Sequence, residues 1–200
     1  MAQTLHPLPQ PGLSIYPGFT ATKPETFLAK CRNAWSDRAS YLISYSSPNG
    51  KPLNPFMEIV EEKKNNISFK AMNGQEVMRI IKQEHTWSGA EYHGMRGEGN
   101  EVWHLQLKGS WSTEYHLQLY GEAEANQLVV ENKLLGADKG VLLNGHPACT
   151  MSRHEAWKHI YRRDIINVAP GMDVLLALGV AWIRTDKQKQ DEKAAISAAA

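Results

Sequence analysis

A mainly β fold, a closed antiparallel barrel of about twelve strands around one hydrophobic C-terminal helix, is predicted by three features of the 200-residue chain. Short apolar or alternating runs recur every eight to twelve residues or so, which is the cadence of a sandwich or barrel. The dipeptides Asn49-Gly50, Asn73-Gly74 and Asn144-Gly145 stand between such runs; they suit tight hairpins, in which both central residues take φ > 0. One unbroken apolar run, Val174 to Ile183, follows the last strand pattern.

Residues 1–30 read as a flexible Pro-rich arm. Pro7, Pro9, Pro11, Pro17 and Pro24 fall there, and apolar residues without regular spacing do not readily build a core. The barrel domain is expected over 31–186. Strands are expected near 40–46, 56–62, 66–71, 76–83, 86–92, 101–108, 114–120, 127–134, 139–143, 147–152 and 159–168. Alternation is cleanest where Trp103, Leu105 and Leu107 interleave with His104, Gln106 and Lys108, and where Tyr115, Leu117 and Leu119 interleave with His116 and Gln118. Each pattern gives one apolar face and one wet face.

The helix is expected over 170–184, with Pro170 as its first residue and Asp173 in its first turn, where a carboxylate suits the helix dipole. A helix apolar all round must be enclosed. Fifteen residues span about 22 Å, too short for a bilayer, so the enclosure is expected to be protein. A seven-residue strand has about that length, and a barrel of eleven or twelve strands has room for a helix about 10 Å across. Residues 187–200, charged and then alanine-rich, read as a disordered tail or a frayed extension of the helix.

The 22 Lys and Arg offset 21 Asp and Glu to a formal charge of +1. That balance argues against the broad basic field of a general nucleic-acid binder. Cys31 and Cys149 match no metal-binding or redox spacing, so two reduced thiols are expected, with no cofactor. With neither a secretory signal nor an apolar run of membrane-spanning length, the expected location is cytoplasmic, with peripheral membrane attachment as an option.

The ending Asn167-Val168-Ala169-Pro170-Gly171-Met172-Asp173-Val174-Leu175-Leu176-Ala177-Leu178 resembles the last strand and buried helix of the LURP-one-related family. That family shares the tubby C-terminal fold and is similar to phospholipid scramblases. The run from Asn73 to Lys82, followed by Trp87 and Tyr92, is similar to the family's central hairpin and next strand. The likeness covers roughly residues 35–186 and implies a twelve-stranded barrel around a C-terminal helix. Trp182 and Arg184 depart from the small or aliphatic residues and acidic end usual there. The resemblance implies no catalytic residues, and it makes basic surface residues the expected contacts for phosphoinositides, as in tubby domains. The calcium-binding segment of scramblases has no counterpart here.

Motifs of enzyme chemistry are near misses. His154 and His159 are five apart, about 140° around a helix rather than one face, so they do not make a zinc-protease pair. Gly94-Met95-Arg96-Gly97-Glu98-Gly99 reads as a hairpin loop because it lacks the Lys-Ser/Thr of a phosphate loop. Gly109-Ser110-Trp111-Ser112-Thr113 carries Thr where a nucleophile elbow needs glycine. His104 and His116, on the wet faces of neighbouring strands, are the one pair expected to lie close. No metal ligand set or catalytic group is assigned. The local charge excess is at Arg153, Lys158, Arg162 and Arg163, interleaved with Trp157 and Tyr161. Each such cation near an anionic membrane contributes about 1 kcal/mol. The expected function is therefore non-enzymatic: a binding module for anionic phospholipid or phosphoinositide through these four residues, or for a protein partner. The alternatives are scramblase-like lipid handling and an enzyme with a barrel-mouth site.

Overall fold

A computed structural model describes residues 5–32, 38–47, 50–85, 89–109, 113–154 and 163–199. Twelve strands form one antiparallel sheet rolled into a nearly closed barrel. They are β1 (Glu25–Cys31), β2 (Ser40–Ser46), β3 (Pro52–Lys63), β4 (Asn66–Ala71), β5 (Glu76–His85), β6 (Gly89–Arg96), β7 (Asn100–Lys108), β8 (Glu114–Leu119), β9 (Leu128–Asn132), β10 (Lys139–Leu143), β11 (His146–His154) and β12 (Arg163–Val168). Helix α1 (Val174–Ala199) fills the barrel with its first half, Val174 to Thr185.

The strand order runs from β8 back through β1, then on through β12 to β9. Each strand alternates inward and outward: Met57, Ile59, Phe69, Met78, Ile80, Tyr92, Trp103 and Leu105 point inward and are buried. Against them lie Leu175, Leu176, Leu178, Val180 and Ile183 of the helix. Period-two alternation lines the barrel, and an all-round apolar helix occupies it.

Trp103 sets the fit between sheet and helix. A Cβ on Gly94 would lie 1.9 Å from its indole, and a Cβ on Gly179 would lie 3.2 Å from it. The indole Nε1 donates to the Tyr16 hydroxyl at 3.0 Å, so the one polar atom of this side chain is satisfied in the core. Gly94, in the run read as a hairpin loop, is thus in mid-strand on β6 because the ring leaves no space for a side chain.

Of the expected turns, Asn144-Gly145 between β10 and β11 has both residues at positive φ, 49° and 82°. At Asn73-Gly74 only Gly74 is positive, at 86°, and the register shifts by a residue at Phe69/Lys70. Asn49 lies outside the described residues. The sequence pattern does not reveal β1, which joins β2 to β12 and so links the two ends of the chain's sheet.

The N-terminal segment corrects the expectation of a flexible arm. Leu5, Leu8, Leu13, Ile15 and Tyr16 are buried, and the backbone bonds Leu8 N–H to Pro170 O (2.9 Å), Leu13 N–H to Gly171 O (2.7 Å) and Ala21 N–H to Met172 O (2.9 Å) tie it to the turn before α1. The segment plugs the end of the barrel. Its apolar residues have no period because an irregular plug has none. Asp173 is the helix N-cap rather than a first-turn residue: Oδ1 accepts the Leu176 N–H at 2.9 Å, and Oδ2 accepts the Ile15 and Tyr16 N–H groups at 2.8 and 2.7 Å.

The helix start is corrected from 170 to Val174, and the helix continues through Ala199 where the charged, alanine-rich pattern suggests a disordered tail. Beyond Thr185 the helix is only partly covered and then exposed. It carries i,i+4 pairs such as Lys187 with Asp191 at 2.5 Å. No helix among the described residues is long and apolar enough to cross a membrane.

Candidate binding sites on the barrel

Of the four basic residues, the two that are described, Arg153 and Arg163, lie on opposite faces of the sheet. In the register of β11 and β12, Arg153 stands opposite Asp164 and His154 opposite Arg163. Arg153 therefore shares the inward face of Met151 and Ile166, while Arg163 faces outward, in a row with Lys30 of β1. Lys158 and Arg162, with Trp157, His159 and Tyr161, lie outside the described residues.

Arg153 is occupied at the end of the barrel where α1 emerges. Its Nη2 donates to Gln188 Oε1 at 3.1 Å and to Glu192 Oε1 at 3.4 Å. Beside it, buried Arg184 lies 3.3 Å from Asp138 and 3.9 Å from Asp164, and the Thr185 hydroxyl donates to Asp164 Oδ2 at 3.0 Å. The departures noted at the helix end thus have local partners. Arg184 meets two carboxylates, and Trp182 packs edge-to-face on Tyr92 with ring centroids 6.0 Å apart. Burial against apolar surface allows the charge only because the carboxylates accompany it.

Three further charged or phenolic groups belong to this end. Buried Lys82 is 2.9 Å from both Asp186 and Glu84. Lys139 donates to Asn132 Oδ1, and its ammonium is 4.1 Å from the Tyr115 ring centroid. Desolvation, helped by nearby Arg184, pushes the Lys139 amine down to about 8, and burial pushes the Tyr115 phenol up to about 12.

The barrel is open at one place. Both β8 and β9 pair on one side only, and no hydrogen-bonded register joins them among the described residues. Because twelve strands alternate in direction around the sheet, these two edges face each other antiparallel. Between them lies a cleft of about 630 Å³, lined by His104, Tyr115, His116, Leu117, Val130 and Asn132 among others. Strand β9 is only five residues long, and Val129 at its edge is 37% exposed. The sequence predicts both strands without indicating that they remain unpaired, because pairing depends on how the sheet closes.

His104 and His116 are diagonal neighbours across β7 and β8, since Gln106 is opposite His116 and His104 is opposite Gln118. The closer neighbour of His104 is His93 on β6, directly opposite it. The two rings stack at 4.8 Å with an 18° interplanar angle. No sequence pattern joins these two, because the pairing of β6 with β7 depends on the register.

No family model and no curated protein matches the chain. An X-ray structure of a protein from Arabidopsis thaliana is similar in fold, with a TM-score of 0.61 at 13% identity over 88% of this chain and 99% of that one. At that identity the likeness shows the fold alone.

Proposed function

We propose that the protein is a non-enzymatic binding module of the LURP-one-related, tubby-like kind, and that it takes an extended segment of a protein partner in the seam between β8 and β9. The observation supporting this reading is that two antiparallel sheet edges border a 630 Å³ cleft. Unpaired edge amides and carbonyls form a template for strand addition, and alternate side chains of an added strand meet pockets on either face; because Cα atoms of β8 and β9 approach within 8 Å, the edges part to about 10 Å to admit it. The mutual pairing of the ionisable groups around Arg153 and Arg184 favours a structural role for them over a catalytic one.

Selection of a displayed peptide library on the protein, followed by amide chemical-shift mapping, tests the reading. Support is a set of extended peptides whose shifts centre on β8 and β9 and whose binding is lost in Val129→Arg/Leu117→Arg. Shifts centred elsewhere, or no selected peptide, would overturn it.

A second reading, anionic lipid at a membrane surface, is favoured by the outward row of Lys30 and Arg163. In sequence, Arg163 directly follows the stretch that carries Lys158 and Arg162. Because Arg153 is held by the helix, the informative variant changes Lys158, Arg162 and Arg163 to Ser and leaves Arg153 in place. Salt-sensitive sedimentation with phosphoinositide vesicles, lost in that variant, supports lipid binding. Equal binding by wild type and variant, or none by either, removes it.

A further inference from the structure

We infer that Glu91, His93 and His104, on the outer face of β6 and β7, form a binding site for a divalent transition metal ion, zinc foremost. One ligand atom from each residue falls within 4.8 Å of the others. Glu91 Oε2 is 3.5 Å from His104 Nε2 and 3.6 Å from His85 Nε2. Metal bonds of about 2.0–2.1 Å in a tetrahedral shell put adjacent ligand atoms about 3.4 Å apart, so Glu91 and His104 stand at ligand spacing and His93, within 4.8 Å of both, needs to draw in only slightly. His85, at the end of β5, stands beside Glu91 and outside the three-residue cluster.

A second observation points to a ligand. Nε2 of His93 and Nε2 of His104 are both buried, and neither has a hydrogen-bond partner among the described residues. Buried polar atoms are ordinarily satisfied, and two orphaned imidazole nitrogens beside one carboxylate oxygen are what a metal ion would satisfy together.

The surrounding groups fix the ligands as metal sites require. His93 Nδ1 is 2.8 Å from Glu101 Oε1; a proton held there leaves Nε2 as the ligand atom, and because the two rings stack at 18°, joint coordination requires one ring to turn towards the ion. Glu91 Oε1 accepts from Gln106 Nε2 at 2.7 Å, which leaves Oε2 for the ion. The backbone places Glu101 by a device of its own. It stands two residues before inward-facing Trp103 and by simple alternation would share that face. A bulge between the Gly94–Trp103 and Met95–Glu101 pairs shifts it outward towards His93. Imidazole and carboxylate donors together suit zinc and its neighbours in the first transition row.

The experiment is a titration of untagged, chelator-treated protein with Zn²⁺ against a chromophoric competitor, with nitrogen NMR of the histidine rings in parallel. One equivalent is expected to bind and to shift Nε2 of His93 and His104. His93→Ala and His104→Ala are each expected to weaken binding at least a hundredfold, and Glu101→Gln about 10- to 100-fold. His116→Ala, outside the set, is expected to leave affinity unchanged. Metal-free melting curves of the variants matching metal-free wild type would assign the weaker binding to the ligands. The ring NMR of wild type tests the site even if a variant fails to fold. Absence of saturable binding for Zn²⁺, Co²⁺, Ni²⁺ and Cu²⁺, or binding that leaves both Nε2 signals in place, would overturn the assignment.

Discussion

Asp173 concentrates the local chemistry of this fold in one carboxylate. Burial pushes its carboxyl up to about 6, against the opposing effect of the backbone N–H groups of Tyr16, Leu176 and Ile15. The folded chain therefore holds a proton there that the unfolded chain releases nearer pH 4. The stability linked to this group is present below pH 4 and declines as pH rises through 6. Thermal melts of wild type and Asp173→Asn at pH 4 and pH 7 check this: the asparagine variant is expected to lack that component, so its stability relative to wild type rises between the two values. Gly94 is a second test at this scale. Gly94→Ala puts a methyl 1.9 Å from a rigid ring held between strand and helix; overpacking of this kind costs about 1–3 kcal/mol or more, readable as a lowered denaturation midpoint.

Helix α1 is two helices in physical character. Through Thr185 its residues are buried on all sides, and Leu176→Asp is expected to abolish cooperative melting, because an unpaired buried carboxylate costs several kcal/mol. From Asp186 onward it is an amphiphilic extension whose Gln188 and Glu192 hold Arg153. Ending the chain after Asp186 is expected to preserve the barrel and to cost about 1–3 kcal/mol, since the truncation leaves the core intact but takes Gln188 and Glu192 from largely buried Arg153. Chemical denaturation of the shortened chain measures the difference.

Across the whole molecule, the two chain ends depend on each other. Residues 5–24 close the barrel where α1 begins, and β1 bridges the strands of the N-terminal half to β12. Deleting residues 1–18 uncovers the helix N-terminus and removes five buried apolar side chains, Leu5, Leu8, Leu13, Ile15 and Tyr16. At about 1.5–3 kcal/mol for each side chain, the loss approaches the whole stability of an ordinary domain, so the truncated chain is expected to be unfolded by circular dichroism.

Strand positions, the barrel class and the enclosed helix were legible because they are one-dimensional signals: alternation, Asn-Gly turns and an apolar run of fixed length. Ser40–Ser46, Asn66–Ala71 and Lys139–Leu143 begin and end where the pattern does. The plug at 5–24 was not legible, since irregular backbone leaves no period to read. The opposite faces of Arg153 and Arg163 follow from strand parity, but only once both are known to lie on paired strands. Neither the open seam between β8 and β9 nor the approach of Glu91, His93 and His104 could be read along the chain. Both arise from closure and register, which depend on the packing of twelve strands around one helix, and a shift of one residue would have turned those side chains to the other face.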